Sequence, residues 1–192
     1  DVCSSDLDEV YSRIGIEVGK LIHFDRLSIS VVNEENDIVA ITFIAGLEIP
    51  ESPVGRLFPL SESSSIHVTK TKTTQLILPR SEHELAESVP VMLILYRAGL
   101  KSFIVVPLIS KGRVIAVLRL GSFEVNSYDH DEVRVAESIG AQIAPAIENA
   151  RLHEETQRQA AEVSAMAEIG RIVNSSLNID DVYRRIGREV AK

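Results

Sequence analysis

Apolar residues recur at three- and four-residue intervals over Asp8–Leu21, where Val10, Ile14, Val18 and Leu21 form one stripe with Tyr11 beside it. That spacing predicts an amphipathic helix, with acidic residues at its start where the helix dipole favours them. The period then changes. Over Arg26–Val32, Leu27, Ile29 and Val31 alternate with Ser28, Ser30 and Val32, as on a strand. The polar turn Glu34-Glu35-Asn36-Asp37 leads to a second β-branched run, Ile38–Ala45, and the two runs predict a β-hairpin. Pro50, Pro53, Gly55 and Pro59 make Gly46–Pro59 a loop. A short helix is expected over Ser63–Lys70, capped by Ser61, Ser63 or Ser64, and then a strand over Thr73–Leu78.

Ser81–Leu95 carries conflicting signals. Ser81 with Glu84 three residues later is a capping box, yet Pro90 pushes Val89 away from helical geometry. The run Val89–Tyr96 reads either as core filling or as the apolar wall of a pocket. Beyond it, Ser102–Ile109 and Arg113–Leu120 are rich in Val and Ile and predict a second hairpin around Ser110-Lys111-Gly112. Gly112 supplies the positive φ such a turn needs, and Pro107 signals an edge or a bulge in its strand. Asp129 or Asp131 opens a long last helix, with Val133, Ala136, Ile139, Ile143, Ile147 and Ala150 at helical spacing. The apolar pattern resumes at Val163, Met166, Ile169 and Val173, and a helix of that length needs a partner outside its own domain. Pro145 removes one backbone donor within it and marks a place for a kink. Hairpins flanked by helices give an α+β fold: a central antiparallel sheet with helices on both faces, followed by a long C-terminal signalling helix.

The ends of the chain change the domain picture. Residues 8–20, DEVYSRIGIEVGK, and 180–192, DDVYRRIGREVAK, agree at nine of thirteen positions across an offset of 172 residues. This repeat predicts a sensor-sized domain over 8–150, a coiled-coil linker over 151–175, and the start of a second, truncated copy over 176–192. Asp1–Leu7 reads DVCSSDL, whose back-translation resembles a sequencing-library adapter. It is expected to be either a non-native leader or a natural helix entry, since Ser176 and Ile179 sit opposite Ser4 and Leu7 in the repeat.

Charge and composition narrow the function. Twenty basic against 28 acidic residues give a net charge of −8, which disfavours nucleic acid as a partner. No apolar run reaches the ~20 residues of a membrane span, so a cytoplasmic setting is expected. The single cysteine, Cys3, leaves no internal disulfide and no cysteine-based metal cage.

Several stretches together resemble a GAF domain, the small-molecule sensor module of signalling proteins. They are Gly99-Leu100-Lys101-Ser102 leading into Val105-Val106-Pro107-Leu108, then Lys111-Gly112-Arg113-Val114-Ile115-Ala116-Val117-Leu118. The closing helix adds Asp131-Glu132, Ala136, Gln142-Ile143 and Ala146-Ile147-Glu148-Asn149-Ala150-Arg151-Leu152. The resemblance covers about residues 8–155, and the linker is similar to helices that join such domains in tandem, often upstream of the histidine kinases of two-component systems, cyclases or phosphodiesterases.

The resemblance implies a ligand pocket between the sheet and the covering segments at 46–60, 63–70 and 81–98. Candidate lining residues are Ser28, Ser30, Thr42, Ile66, Met92, Tyr96, Ser102, Ile104 and Arg119. Arg119 stands out because it interrupts an apolar strand. It either meets an anionic ligand or points to solvent. Haem-binding members of the family use a histidine, and here only His67 and His83 fall near the implied pocket; His23, His130 and His153 do not, and no two histidines have metal-ligand spacing. Bilin attachment and the family's reductase chemistry both need a cysteine that this region lacks. Asn126, Tyr128 and Asp131-Glu132 echo the cyclic-nucleotide motif of some members without its lysine, and a tyrosine before an acidic helix start is also ordinary capping.

No cofactor is assigned and no catalytic residue is expected. No nucleophile elbow or phosphate loop is present either. The expected function is a regulatory module that senses an unidentified small molecule and works as a homodimer through the Pro145–Val173 helix. The alternative is a ligand-free dimerisation and relay spacer.

Overall fold

The structure, a computed structural model, describes residues 4–176. Cys3 and the repeat at 180–192 lie outside the described residues. The first helix, α1, runs Ser4–Leu21, and β1 (Arg26–Asn33) and β2 (Ile38–Gly46) form the first hairpin. The chain then adds β3 (Leu57–Pro59), α2 (Ser65–Thr71), β4 (Gln75–Ile77), α3 (Glu82–Ser88) and α4 (Leu93–Arg97). The second hairpin, β5 (Ser102–Ser110) and β6 (Arg113–Ser122), precedes the 47-residue helix α5 (His130–Ser176), which continues through Pro145. The strands make one antiparallel sheet in the order β3-β2-β1-β6-β5-β4. By its contacts the chain divides into one compact unit up to Ala150 and a second from Arg151.

The sheet has two buried faces. Tyr11, Ile14 and Val18 of α1 and Ala136, Ile143, Ala144 and Ile147 of α5 pack with Leu27, Ile29, Ile104, Val106, Leu108, Leu118 and Leu120. On the other face Val68, Leu85, Met92 and Leu95 cover Val32, Val39, Phe103, Val105, Val114 and Val117. Each fully buried Leu, Ile or Phe contributes roughly 1.5–3 kcal/mol, so both layers are needed to hold the sheet.

Two one-residue bulges decide which side chains reach which face. In β2 the pairing passes from Ile29↔Phe43 to Ser30↔Ile41, leaving Thr42 as the extra residue. Ile41 therefore faces the short helices, while Phe43 turns to the opposite face and stacks on Tyr11 with ring centres 5.8 Å apart. In the second hairpin Ile109 pairs with Val114 but Leu108 pairs with Ala116, so Ile115 is the extra residue. A bulge of this kind moves every later residue of one strand by one position relative to its partner. Pro107 sits beside this bulge and beyond the reach of β4, which pairs only with Phe103–Val105, so both readings of that proline hold.

Other differences from expectation are local. β3 was not anticipated: it is three residues long, too short to show an alternating pattern, and it pairs with Ile38–Ala40 at the sheet's edge. Ser81–Leu95 resolves into two helices because Pro90 breaks the run: Ser81 Oγ accepts from Glu84 N (3.2 Å), and Pro90–Met92 form a single 3₁₀ turn before α4. Lys111 and Gly112, with φ of 49° and 78°, make the tight two-residue connection between β5 and β6. Asp129 caps α5: its Oδ1 accepts from Asp131 N (2.6 Å), while Glu132 Oε2 accepts from Asp129 N (2.9 Å).

Candidate functional site

A cavity of about 160 Å³ lies between the sheet and the short helices. Its floor comes from Ile41 of β2 and Arg119 of β6, and its wall from Val91, Met92, Ile94 and Leu95. Ser52, Arg56 and Phe58 border it from the loop side, and Glu62 and Ser64 from the entry to α2. The break at Pro90 builds the wall. It lets Met92 and Leu95 bury themselves while Val91 stays 40% exposed at the cavity's edge. Val89–Tyr96 is therefore both core filling and pocket wall. An open groove of about 390 Å³ lies beside the cavity and shares Glu62, Ser64 and Val91 with it.

Arg119 is the chemically distinctive residue of the cavity. It is 9% exposed and lies in register between Ser28 of β1 and Val105 of β5. The solvent-facing alternative for Arg119 is thus overturned. The small side chain of Ser28 leaves room for the guanidinium on this face. Arg119 Nη2 donates to Ser64 Oγ, and Arg119 Nε is buried with no acceptor. Among the described residues no carboxylate lies within ion-pair distance of it. Burial, and secondarily the charge of Arg26, pull its pKa down to about 10, so it remains protonated at neutral pH. Ser30 Oγ on β1 and Ser65 Oγ and Thr69 Oγ1 on α2 are also buried without partners.

Arg26, which sequence reasoning passed over, is a second buried guanidinium on the same face, 3% exposed. Burial lowers its pKa and Glu48 opposes that shift. It differs from Arg119 in being saturated by backbone: Nη1 donates to Leu47 O, and Nη2 donates to Ser52 O (2.7 Å) and Ser52 Oγ (3.4 Å). It therefore pins the 47–52 loop over the cavity. The available signal was its parity with Ser28 and Ser30, which places a charged side chain at the head of the same strand face.

The expected lining residues divide accordingly. Met92 and Arg119 line the cavity. Ile66, together with His67, lines the adjoining groove. Ser28 and Ser30 are buried on the cavity's face of the sheet but do not reach its surface. Thr42 is the bulge residue, and its Oγ1 donates to Ile29 O (3.1 Å). Tyr96 packs against the core of this face and carries Lys101 Nζ 3.5 Å above its ring.

Ile104 and Ser102 lie on the opposite face. A regular hairpin closed at Ser110↔Arg113 would set Ile104 across from Arg119, but the Ile115 bulge pairs Ile104 with Leu120 and turns it into the α1–α5 core. Ser102 follows the same shift. Its Oγ donates to Glu124 O (2.6 Å) and accepts from Ser127 N (3.1 Å), fixing the loop after β6.

The histidines form no site. His67 is exposed in the groove, His83 is exposed beside Glu87, and no three His, Cys, Asp or Glu residues converge among the described residues. Tyr128 donates to His23 O (3.1 Å), and burial raises its pKa. The start of α5 is capped by Asp129 and Glu132, while Tyr128 ties instead to the His23 carbonyl.

A family model described as GAF domain matches residues 4–148. The chain belongs to the GAF domain family. Among solved structures it is similar to the GAF domain of a two-component sensor histidine kinase from Bacillus halodurans, with 22% identity and TM-score 0.66 over 77% of this chain and 97% of that one. It is also similar to a GAF domain/HD domain protein from Geobacter sulfurreducens, with 12% identity and TM-score 0.64 over 78% and 96%. A third is a free methionine-R-sulfoxide reductase from Thermoplasma acidophilum, with 15% identity and TM-score 0.59 over 75% and 96%. At these identities the likeness is one of fold. No curated protein matches the chain. GAF domains of sensor proteins are, as a class, ligand-sensing regulatory modules, and no described helix is long and apolar enough to cross a membrane.

Proposed function

We propose that this GAF domain is the small-molecule-sensing part of a cytoplasmic signalling protein, and that its ligand occupies the cavity floored by Arg119. One observation carries the reading. A protonated guanidinium, 9% exposed and without a carboxylate partner, faces a cavity walled by apolar side chains. Burying such a charge is unfavourable unless something compensates it, and a purely structural spacer gains nothing from keeping it.

The output is proposed to pass through α5 to a downstream domain, in a homodimer built along Pro145–Val173. Val163, Met166 and Ile169 support this. They are spaced by three residues along the helix and stand 61–71% exposed, as the seam of a coiled coil does before its partner docks. Coupling then requires a ligand that binds two arrangements of the helix unequally. The domain is read as regulatory rather than catalytic, in keeping with GAF domains as a class.

The ligand-free relay spacer has one observation in its favour: about 160 Å³ is below the roughly 300–1,000 Å³ of drug-sized ligand pockets. Native mass spectrometry of the purified chain separates the two. The sensing reading expects a dimer that carries a reproducible added mass. An empty dimer whose cavity resonances also ignore a mixed metabolite extract would refute it.

A further inference from the structure

We propose that the cavity accepts a small organic monocarboxylate with an apolar body, with Arg119 as its charge-binding residue and Ser64 as its second donor. The inference rests on the sensing reading and narrows the ligand to one chemical class.

Three features of the cavity set that class. The first is charge. Among the described residues Arg119 has no carboxylate partner. Arg56 also borders the cavity against the single carboxylate Glu62, so the lining carries one net positive charge, and Arg26 lies close enough to Arg119 to depress its pKa. In a chain whose net charge is −8, this pocket is locally cationic and selects an anion.

The second is donor geometry. Arg119 Nε carries a proton with no acceptor among the described residues, and Ser64 Oγ accepts from Arg119 and so keeps its own proton free to donate. Ser64 is 7% exposed and lines the cavity beside Arg119. A guanidinium fork and a neighbouring hydroxyl match the two oxygens of a carboxylate. The one carboxylate that borders the cavity, Glu62, works against a more highly charged anion.

The third is size and polarity. A cavity of about 160 Å³ matches the ~150 Å³ engineered cavity that takes benzene. Ile41, Phe58, Met92 and Leu95 give the rest of the ligand an apolar lining. A short branched or aromatic acid fills that space, whereas a nucleotide or a tetrapyrrole exceeds it.

The test uses the full chain, with the Met92 methyl and the Arg119 Nε–H followed by NMR. It is titrated to about 10 mM, enough to register millimolar affinities, with benzoate, 3-methylbutanoate, their amides, and inorganic phosphate. The acids should saturably shift both signals and bind at least about tenfold more tightly than their amides, the least expected from a hydrogen bond to a charged group. Arg119→Gln should erase that preference, and Ser64→Ala should weaken it without erasing it.

Amides that bind as well as the acids overturn the carboxylate class and leave the cavity standing as a sensor site. Phosphate shifting Arg119 as strongly as benzoate overturns it in favour of a plain anion site. Silence of both signals toward every probe overturns the proposal alone; the sensing reading falls with it only where the native protein is also empty and silent toward the metabolite extract. Should Arg119→Gln not fold, Arg119→Met carries the same test, and an acid preference that survives in it refutes the role of Arg119.

Discussion

Replacing Arg119 with methionine should make the ligand-free protein more stable. Burial, and secondarily the charge of Arg26, bring the guanidinium pKa well below its ordinary value, to about 10, and each unit corresponds to 1.36 kcal/mol between the charged and neutral forms. The folded state at neutral pH thus carries an electrostatic penalty of about 3 kcal/mol that methionine, of similar length and uncharged, does not incur. Losing the hydrogen bond to Ser64 gives back about 1.5 kcal/mol, the low end for a charged donor, because that hydroxyl can turn to the cavity. The net gain is about 1.5 kcal/mol, or a Tm rise of about 3–6 °C for a domain of this size. The assay is urea and thermal unfolding of protein unfolded, dialysed and refolded to strip small molecules. The pH dependence supplies a second check. A depressed pKa on a base means that the penalty is fully present below about pH 10 and is relieved as pH rises from there toward the ordinary guanidinium value, so the gap between the variant and the parent should narrow as pH rises above about 10. A variant equal to or less stable than the parent at neutral pH would refute the unpaired-charge argument.

Gly46→Ala should unfold the domain or destabilise it by at least about 2 kcal/mol in urea, because Gly46 has φ of 83° and a Cβ there would stand 2.2 Å from Asp25 O. Ser102→Ala should lower stability by about 1–3 kcal/mol without changing ligand binding, since Ser102 holds the loop after β6 from the face opposite the cavity; a selective loss of binding would return Ser102 to the site. Val163→Pro should weaken the dimer in sedimentation experiments while the circular dichroism and Tm of the N-terminal unit stay unchanged. An equally tight dimer would remove the coiled-coil reading.

The α+β class, both hairpins and the helices flanking them were legible because each signal runs long: serine alternates with apolar residues in β1; β2, β5 and β6 are Val- and Ile-rich runs bounded by turn residues; and α1 and α5 keep a three-to-four spacing. Arg119 was legible for a related reason, as a charge inside an apolar strand. The lost information sits at single residues. Nothing in the composition of Val114-Ile115-Ala116 marks Ile115 as a bulge, yet that one insertion decides whether Ile104 or Val105 shares a face with Arg119. Ser102 and Ile104 were misplaced by that shift. Thr42 was displaced by its counterpart in β2. The role of Arg26 was hidden differently, since its partners are backbone carbonyls 21 and 26 residues away, and carbonyls leave no trace in side-chain identity.

The contrast between the two buried arginines is the strongest reason to place function at one and structure at the other. They share a sheet face, a sign and near-complete burial, and each depends on burial for its main pKa shift. Arg26 is saturated by carbonyls that a rigid loop can supply, and removing it would leave Leu47 O and Ser52 O without their donor. Arg119 has a single hydroxyl, drawn from the residue that opens α2, and a second donor left over. An anion arriving at Arg119 therefore competes for, or recruits, the Ser64 hydroxyl at the first turn of that helix. Since α2 packs on β5 and β6, the proposed exchange would couple a change in bound charge to the seating of that helix. A charge held only for the fold would sit where Arg26 sits. A charge held at the expense of the fold, next to a cavity and one hydrogen bond from the start of α2, is what the proposed ligand site requires.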